Sequence, residues 1–161
     1  MAIKETKNKG KKNKPIIGKS DIADFPLFEL ENVKVKIDSG AYTSTIHCSR
    51  IEEIENELKV VFLDKKVDGF TGKTHCFSNY EQKNVRSSSG ELQKRYIIKG
   101  NILLFGKNYK TEFTLSKRNL MRFPVLLGRK LLSNKFLIDS SLTNLSFKHK
   151  TEKDENWNTK S

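Results

Sequence analysis

The stretch VKVKIDSGA, residues 33–41, is the clearest structural signal in the sequence. Its three β-branched residues alternate with two lysines, so a strand here has one apolar face and one solvated face. The strand ends at Asp38, Ser39 and Gly40, residue types that favour turns. The sequence therefore predicts a half-buried strand that presents an aspartate at its end.

Strand patterns continue on both sides of this stretch. Short apolar runs are separated by turn residues, and the 3.6-residue periodicity of helices is largely missing. Further strands are predicted at residues 43–47, 57–64, 102–105, 109–115, 124–128 and 136–139, with a Ser-rich hairpin at 85–99, a long loop or irregular hairpin at 65–84 and a short helix at 129–134. We therefore expect an all-β domain with one short helix near its C-terminus.

The length of 161 residues suits one domain, which we divide into a basic tail at 1–14, a β domain at 15–147 and a polar tail at 148–161. The net charge is +12, and the basic tail holds six lysines against Glu5 alone. We expect this tail to be solvated and disordered, because it has no interleaved aromatic residues and no nucleic-acid recognition motif. A nucleic-acid partner is therefore not the first expectation.

The cellular compartment is predicted from hydropathy and cysteine content. No apolar stretch approaches the roughly 18 to 20 residues that span a bilayer, and the first residues contain no apolar signal segment. Cys48 and Cys76 are too few for a disulfide framework. We expect a soluble, cytoplasmic protein with reduced thiols and no membrane partner.

Two blocks at opposite ends of the β domain resemble those of the retropepsin-like aspartic proteases. The first is a hydrophobic strand running into Asp-Ser-Gly-Ala at 38–41, and the second is VLLGR at 125–129 before a short helix. Between them, His47 ends the strand after the acid motif, and a Ser-Ser-Gly segment precedes an arginine and aliphatic residues. The whole pattern, from about residue 16 to 141, is similar to a bacterial subfamily labelled ATP-dependent zinc protease, often encoded beside ATP-grasp peptide ligases. The resemblance implies a closed β-barrel.

The resemblance also implies that Asp38 is catalytic. Aspartic proteases use two carboxyl groups about 3 Å apart that share one proton, because like charges so close do not both ionise. This chain has one Asp-Ser-Gly motif, so each chain carries half a site, and we expect a homodimer with an Asp38 from each subunit. The other positions that the resemblance assigns are the catalytic-loop support (Ser39, Gly40, Ala41 and His47), the loop behind it (Leu127, Gly128 and Arg129) and the substrate flap (Arg86, Ser87, Ser88, Ser89 and Gly90).

The chain departs from retroviral members at one site position. Those proteins have an acid after the alanine, which pairs with the arginine after the second glycine, whereas this chain has Tyr42. Arg129 therefore lacks its usual partner, and retroviral specificity is not carried over. The positive charge of the β domain, with Lys34, Lys36, Arg86 and Arg95 expected to line the cleft, favours acidic peptides as substrates instead.

Metal and nucleotide sites are not indicated by the sequence. His47 and Cys48, like His75 and Cys76, are adjacent residues whose side chains point to opposite faces of a strand. The chain has neither HExxH nor CxxC, so we expect no zinc site and no cofactor. It also has no Gly-rich phosphate loop, so any use of ATP would belong to a partner such as an ATP-grasp ligase.

Two functions from different classes remain open. The first is a dimeric aspartic endopeptidase that hydrolyses peptide bonds, with acidic or ligase-made peptides as substrates. The second is a non-catalytic retropepsin-like dimer that binds peptide, or that binds nucleic acid with the help of its basic tail. Loss of peptide hydrolysis in an Asp38→Asn variant that still folds and dimerises would distinguish the first from the second.

Overall fold

The computed structural model describes residues 13–86, 88–117 and 122–160, with side chains to residue 154. Within these ranges, the strands are β1 (Ile16–Ile17), β2 (Ser20–Phe25), β3 (Leu30–Ile37), β4 (Ser44–Ile54), β5 (Glu57–Phe62), β6 (His75–Phe77), β7 (Glu81–Arg86), β8 (Leu92–Leu104), β9 (Lys107–Ser116), β10 (Val125–Leu127) and β11 (Leu137–Ile138). The helices are a 3-10 helix (Pro26–Phe28), α1 (Arg129–Leu132) and α2 (Leu145–Lys160). The predicted all-β class is confirmed. No helix in the described ranges is both long and apolar enough to cross a membrane.

Six of the strands close into a barrel. Their order is β10-β3-β2-β8-β9-β4, and β4 pairs again with β10, so the ring is complete. Strand β10 is parallel to β3 and antiparallel to β4. Aromatic contacts fill part of the core. The ring centroid of Phe28 lies 4.3 Å from that of Phe62 and 5.6 Å from that of Phe113. The predicted closed barrel is therefore confirmed.

Strand β8 is part of both the β7–β8 hairpin and the barrel. Its first part pairs with β7 up to Ile97, and its second part pairs with β9 from Ile97 onward. The first part forms the predicted hairpin around the Ser-rich tip, and Ser87 lies outside the described residues. The segment 65–84, predicted as a long loop or irregular hairpin, contains β6, which pairs with β5, and the start of β7.

The structure extends regular order into the segment predicted as a polar tail from residue 148. Helix α2 spans Leu145–Lys160 and docks on β2 through Asp21, whose side chain is buried. The Asp21 carboxylate accepts hydrogen bonds from the N–H groups of Ser146 at 2.9 Å and Phe147 at 3.1 Å. The first N–H groups of a helix have no partner within the helix, and a negative charge at this end also stabilises its dipole. Asp21 therefore acts as a helix cap from a distant strand.

We predict that Asp21→Ala lowers the free energy of unfolding by about 2 kcal/mol, because two helix N–H groups lose a buried charged acceptor. Urea denaturation followed by circular dichroism measures this loss. Asp68→Ala serves as the control, since Asp68 is exposed in a loop and its loss is expected to change stability by less than about 0.5 kcal/mol. Equal stability of the two variants would show that the cap contributes nothing.

Candidate active site

Asp38 is the first residue after β3, and hydrogen bonds hold it from two sides. Its N–H donates to the carbonyl oxygen of Leu127 on β10 at 2.9 Å, and its own carbonyl accepts from the N–H of Ala41 at 3.2 Å. Its carboxylate Oδ1 accepts from the N–H of Gly40 at 3.1 Å. The side chain is half-buried at the outer surface of the barrel. A fixed carboxylate is thus presented where a substrate or a second chain can reach it.

Gly128 allows β10 to pass directly behind the Asp38 turn. A Cβ at this position would lie 2.7 Å from the carbonyl oxygens of Tyr42 and Thr43, which is closer than side-chain carbons are found. The Gly128 N–H donates to the buried hydroxyl of Ser44 at 3.1 Å. Because the obstructing atoms are backbone, any larger residue would displace the turn itself.

Arg129, the first residue of α1, stabilises the Asp38 turn through hydrogen bonds. Its backbone N–H donates to the carbonyl of Ala41 at 2.8 Å, and its guanidinium Nη1 donates to the carbonyl of Ser39 at 3.0 Å. The guanidinium also lies 5.9 Å from the ring centroid of Tyr42, within the range of a cation–π contact. In place of an acidic partner, Arg129 therefore contacts a carbonyl and an aromatic face.

His47 lies behind the site and joins three segments. Its side chain is buried, and its Nε2 lies 2.9 Å from a carboxylate oxygen of Asp64. Its backbone N–H donates to Pro124, just before β10, and its carbonyl accepts from Leu63, both at 2.8 Å. Its Nδ1 is buried without a hydrogen-bond partner among the described residues. His47 thus supports the site through the backbone, and sequence analysis missed its partner Asp64.

The flap residues lie together at the tip of the β7–β8 hairpin. Arg86, Ser88, Ser89 and Gly90 are all exposed, and Gly90 adopts a φ of +85° that favours glycine. Arg86 pairs with Leu92 at the end of the hairpin ladder. The predicted site residues therefore form two groups in one chain, the first around the Asp38 turn and the second at this tip.

A cavity of about 390 Å³ lies on the outer face of β3 and β10, and its described lining includes Lys36 but not Asp38. Lys36 is two residues before Asp38, which follows the end of β3, and Lys36 is paired with Leu126 of β10. The described lining residues include three cations and no acid. They are Lys19, Ser20, Lys36, Arg122, Phe123 and Leu126. The cavity therefore attracts negative charge to the barrel wall formed by β3, the strand that ends before Asp38.

Neither cysteine lies in a group of metal ligands. No cluster of three His, Cys, Asp or Glu side chains occurs in the described parts of the chain. Cys48 is buried and Cys76 is exposed, and burial raises the pKa of the Cys48 thiol far above its ordinary value. The buried thiol therefore packs as a small apolar group.

We predict a pH-dependent role for Asp64. A hydrogen bond from the Lys66 N–H, assisted by His47, holds the pKa of this carboxyl below its ordinary 3.8. The ionised group therefore stabilises the fold above that value, and this contribution is lost as pH falls through the lowered pKa. Asp64→Asn should unfold at lower urea concentration at pH 7, and its difference from wild type should narrow below about pH 4.

Asp68→Asn is the matched control for this experiment, because it removes an exposed carboxylate four residues away. Its unfolding midpoint at pH 7 should lie close to that of the wild type, because an exposed loop side chain contributes little to stability. A constant difference between Asp64→Asn and wild type down to about pH 3 would contradict the prediction.

Two relatives are much longer than this chain. It is 36% identical over 138 residues to a "Probable alpha-L-glutamate ligase" of Shewanella halifaxensis, covering 80% of this chain and 29% of that protein. It is 29% identical over 133 residues to a "Probable alpha-L-glutamate ligase" of Desulfotalea psychrophila, with the same coverage. The chain thus spans less than a third of the length of these relatives.

A solved structure and a family model cover most of the chain. The crystal structure of Lpg0085 from Legionella pneumophila, a protein with unknown function, matches with a TM-score of 0.61 and 24% identity, covering 83% of this chain and 99% of that one. This likeness shows a shared fold. The family model described as "Retropepsin-like aspartic endopeptidase RimB" matches residues 16–149, which include the Asp38 turn, the flap and β10. The chain therefore belongs to the RimB-like family of retropepsin-like aspartic endopeptidases.

Proposed function

We propose that this protein is an aspartic endopeptidase whose active site is completed by a second copy of the chain. The observation that carries the proposal is the fixed, half-buried Asp38 carboxylate at the end of β3, held by Gly40 and by β10. In the dimer, the ionised Asp38 takes a proton from water, which attacks the peptide carbonyl carbon. The protonated Asp38 of the other subunit donates to the carbonyl oxygen.

The surface made by β1 and β11 fits the second copy. These two-residue strands form a separate parallel sheet, which is too small to be stable alone and leaves open edges among the described residues. The side chains of Ile16, Leu137 and Ile138 in this sheet are 49%, 55% and 44% exposed, and neighbouring Leu142 is 38% exposed. Such an apolar cluster is typical of an interface. Extension of this sheet across a two-fold axis would bury it.

Acidic peptides are the substrates that the charge of the site favours. A glutamate side chain of the bound peptide would enter the cavity lined by Lys19, Lys36 and Arg122, where its charge is neutralised. Relatives named as glutamate ligases contain a region similar to this chain, which supports glutamate-rich peptides made by such a ligase as candidate substrates. We therefore propose a functional partnership with an ATP-grasp ligase, in which ATP is used by the ligase.

We predict that Asp38→Asn abolishes peptide hydrolysis, because the amide neither removes a proton from water nor shares one with its counterpart. Hydrolysis of a glutamate-containing fluorogenic peptide measures the loss. Sedimentation and thermal unfolding should match the wild type, since the amide oxygen still accepts from Gly40. Full activity of this variant would exclude the mechanism, and inert wild-type protein would favour the peptide-binding dimer.

A mixing experiment checks whether two subunits share one site. Asp38→Asn protein is refolded together with wild type in increasing proportion, and the residual activity is measured. Because a mixed dimer has one working carboxylate, activity should fall as the square of the wild-type fraction. A linear fall would mean that each chain acts alone.

We predict that Lys36→Glu lowers kcat/KM for a glutamate-containing peptide by about tenfold or more at low salt, because it places a like charge in the pocket. Lys34→Glu is the control, since Lys34 is exposed on the same face of β3 but does not line the cavity. Equal effects of both variants, or an equal loss with a neutral peptide, would count against an acid-selective pocket.

A further inference from the structure

A second cationic cavity, of about 590 Å³, lies on the outer face of β8 and β9 next to α1. It shares no described lining residue with the cavity that Lys36 lines. Its volume falls within the range of ligand-binding pockets. The residues that decide its chemistry are Leu27, Lys99, Lys110, Glu112, Lys130 and Lys135. Nothing in the catalytic mechanism above requires this cavity.

The four lysines of this cavity come from separate parts of the chain. Lys99 lies on β8, Lys110 on β9, Lys130 on α1 and Lys135 after α1. The single acid, Glu112, is bonded to Lys130 at 2.9 Å, and this contact raises the pKa of Lys130 and lowers that of Glu112. The other three lysines form no ion pair within the described parts of the chain. The cavity therefore retains an uncompensated positive charge.

The cavity also has a fixed apolar wall. Leu27 is 63% exposed, yet its backbone N–H donates to the Oδ1 of Asn101 at 3.0 Å. Asn101 is buried, and its amide nitrogen donates to Asn108 at 2.8 Å. Gly100 keeps this wall close to the core, because a Cβ there would lie 2.4 Å from the ring of Phe28. The hydrogen bond to buried Asn101 thus fixes the backbone of an exposed leucine beside the lysines.

We infer that this cavity binds an acidic polypeptide segment outside the catalytic cleft. Carboxylates of the segment pair with Lys99, Lys110 and Lys135, and an aliphatic side chain of the segment covers Leu27. Charge complementarity identifies the occupant, since the wall is cationic and apolar at once. The inference rests on the proposed function, because a long acidic substrate supplies the segment. Anchoring there raises the local concentration of substrate at the cleft without a change in chemistry.

The test compares two double variants with the same change in net charge. Lys110→Glu/Lys135→Glu alters the cavity, and Lys65→Glu/Lys107→Glu alters exposed lysines that do not line it. Binding of a fluorescent peptide of glutamates and one leucine is followed by anisotropy at two salt concentrations, with Asp38→Asn added to all proteins to prevent cleavage. The cavity variant should bind about tenfold more weakly than the control variant.

Leu27→Ser separates the apolar contact from the charge. It should weaken binding of the leucine-containing peptide and leave binding of an all-glutamate peptide unchanged. In proteins with Asp38 intact, the cavity variant should raise KM for a long acidic peptide and leave kcat for a short neutral peptide unchanged. Equal binding by the two double variants would overturn the inference, as would tighter, cavity-dependent binding of an oligonucleotide.

The outcomes also distinguish this inference from the proposed catalysis. If the wild type hydrolyses no peptide but the cavity variant alone loses peptide binding, the binding site stands and the catalytic proposal fails. If Asp38→Asn abolishes hydrolysis while both double variants bind equally well, the catalytic proposal stands and the second site is wrong.

Discussion

The passage of β10 behind the Asp38 turn is the constraint on which both the barrel and the site depend. Gly128 sits where a Cβ would be 2.7 Å from the carbonyl oxygens of two turn residues. With this approach, β10 pairs with both β3 and β4 and completes the ring. The same approach brings the first N–H groups of α1 onto the carbonyls of Ala41 and Tyr42. Closure of the barrel and the shape of the turn that carries Asp38 therefore depend on the same close contact.

The parts of the fold that were predictable have uninterrupted local patterns. The strand before Asp38 keeps a side-chain period of two until a turn begins, and β10 is an apolar run that ends at Gly128. Strand β2 was missed because its buried positions are Asp21, Ala23 and Phe25, so a charged residue stands where the pattern requires an apolar one. That same aspartate orders α2, a largely polar helix without an apolar stripe, from 125 residues away. A contact between residues so far apart in the chain cannot be found from a local sequence pattern.

The site, like the fold, was predictable only in part. Resemblance indicated the Asp38 turn, the β10 loop and His47, but the Asp64 carboxylate that bonds His47 lies 17 residues further along the chain. The sign of the charge near the cleft followed from composition, whereas the convergence of Lys19 and Arg122 on one cavity depends on the barrel. Composition gives the number of charged residues. The pairing of β2, β3 and β10 determines which of these residues lie close together.

The continuity of β8 has a mechanical consequence. Ile97 pairs with Glu81 of the flap hairpin and with Thr114 of the barrel, so no flexible linker separates the flap from the wall. The second part of β8, from Ile97 to Leu104, is fixed by eight paired positions on β9. Displacement of the hairpin tip therefore requires β8 to bend or twist. If the hairpin covers substrate as proposed, its movement is therefore limited by the backbone pairing of β8 with β9.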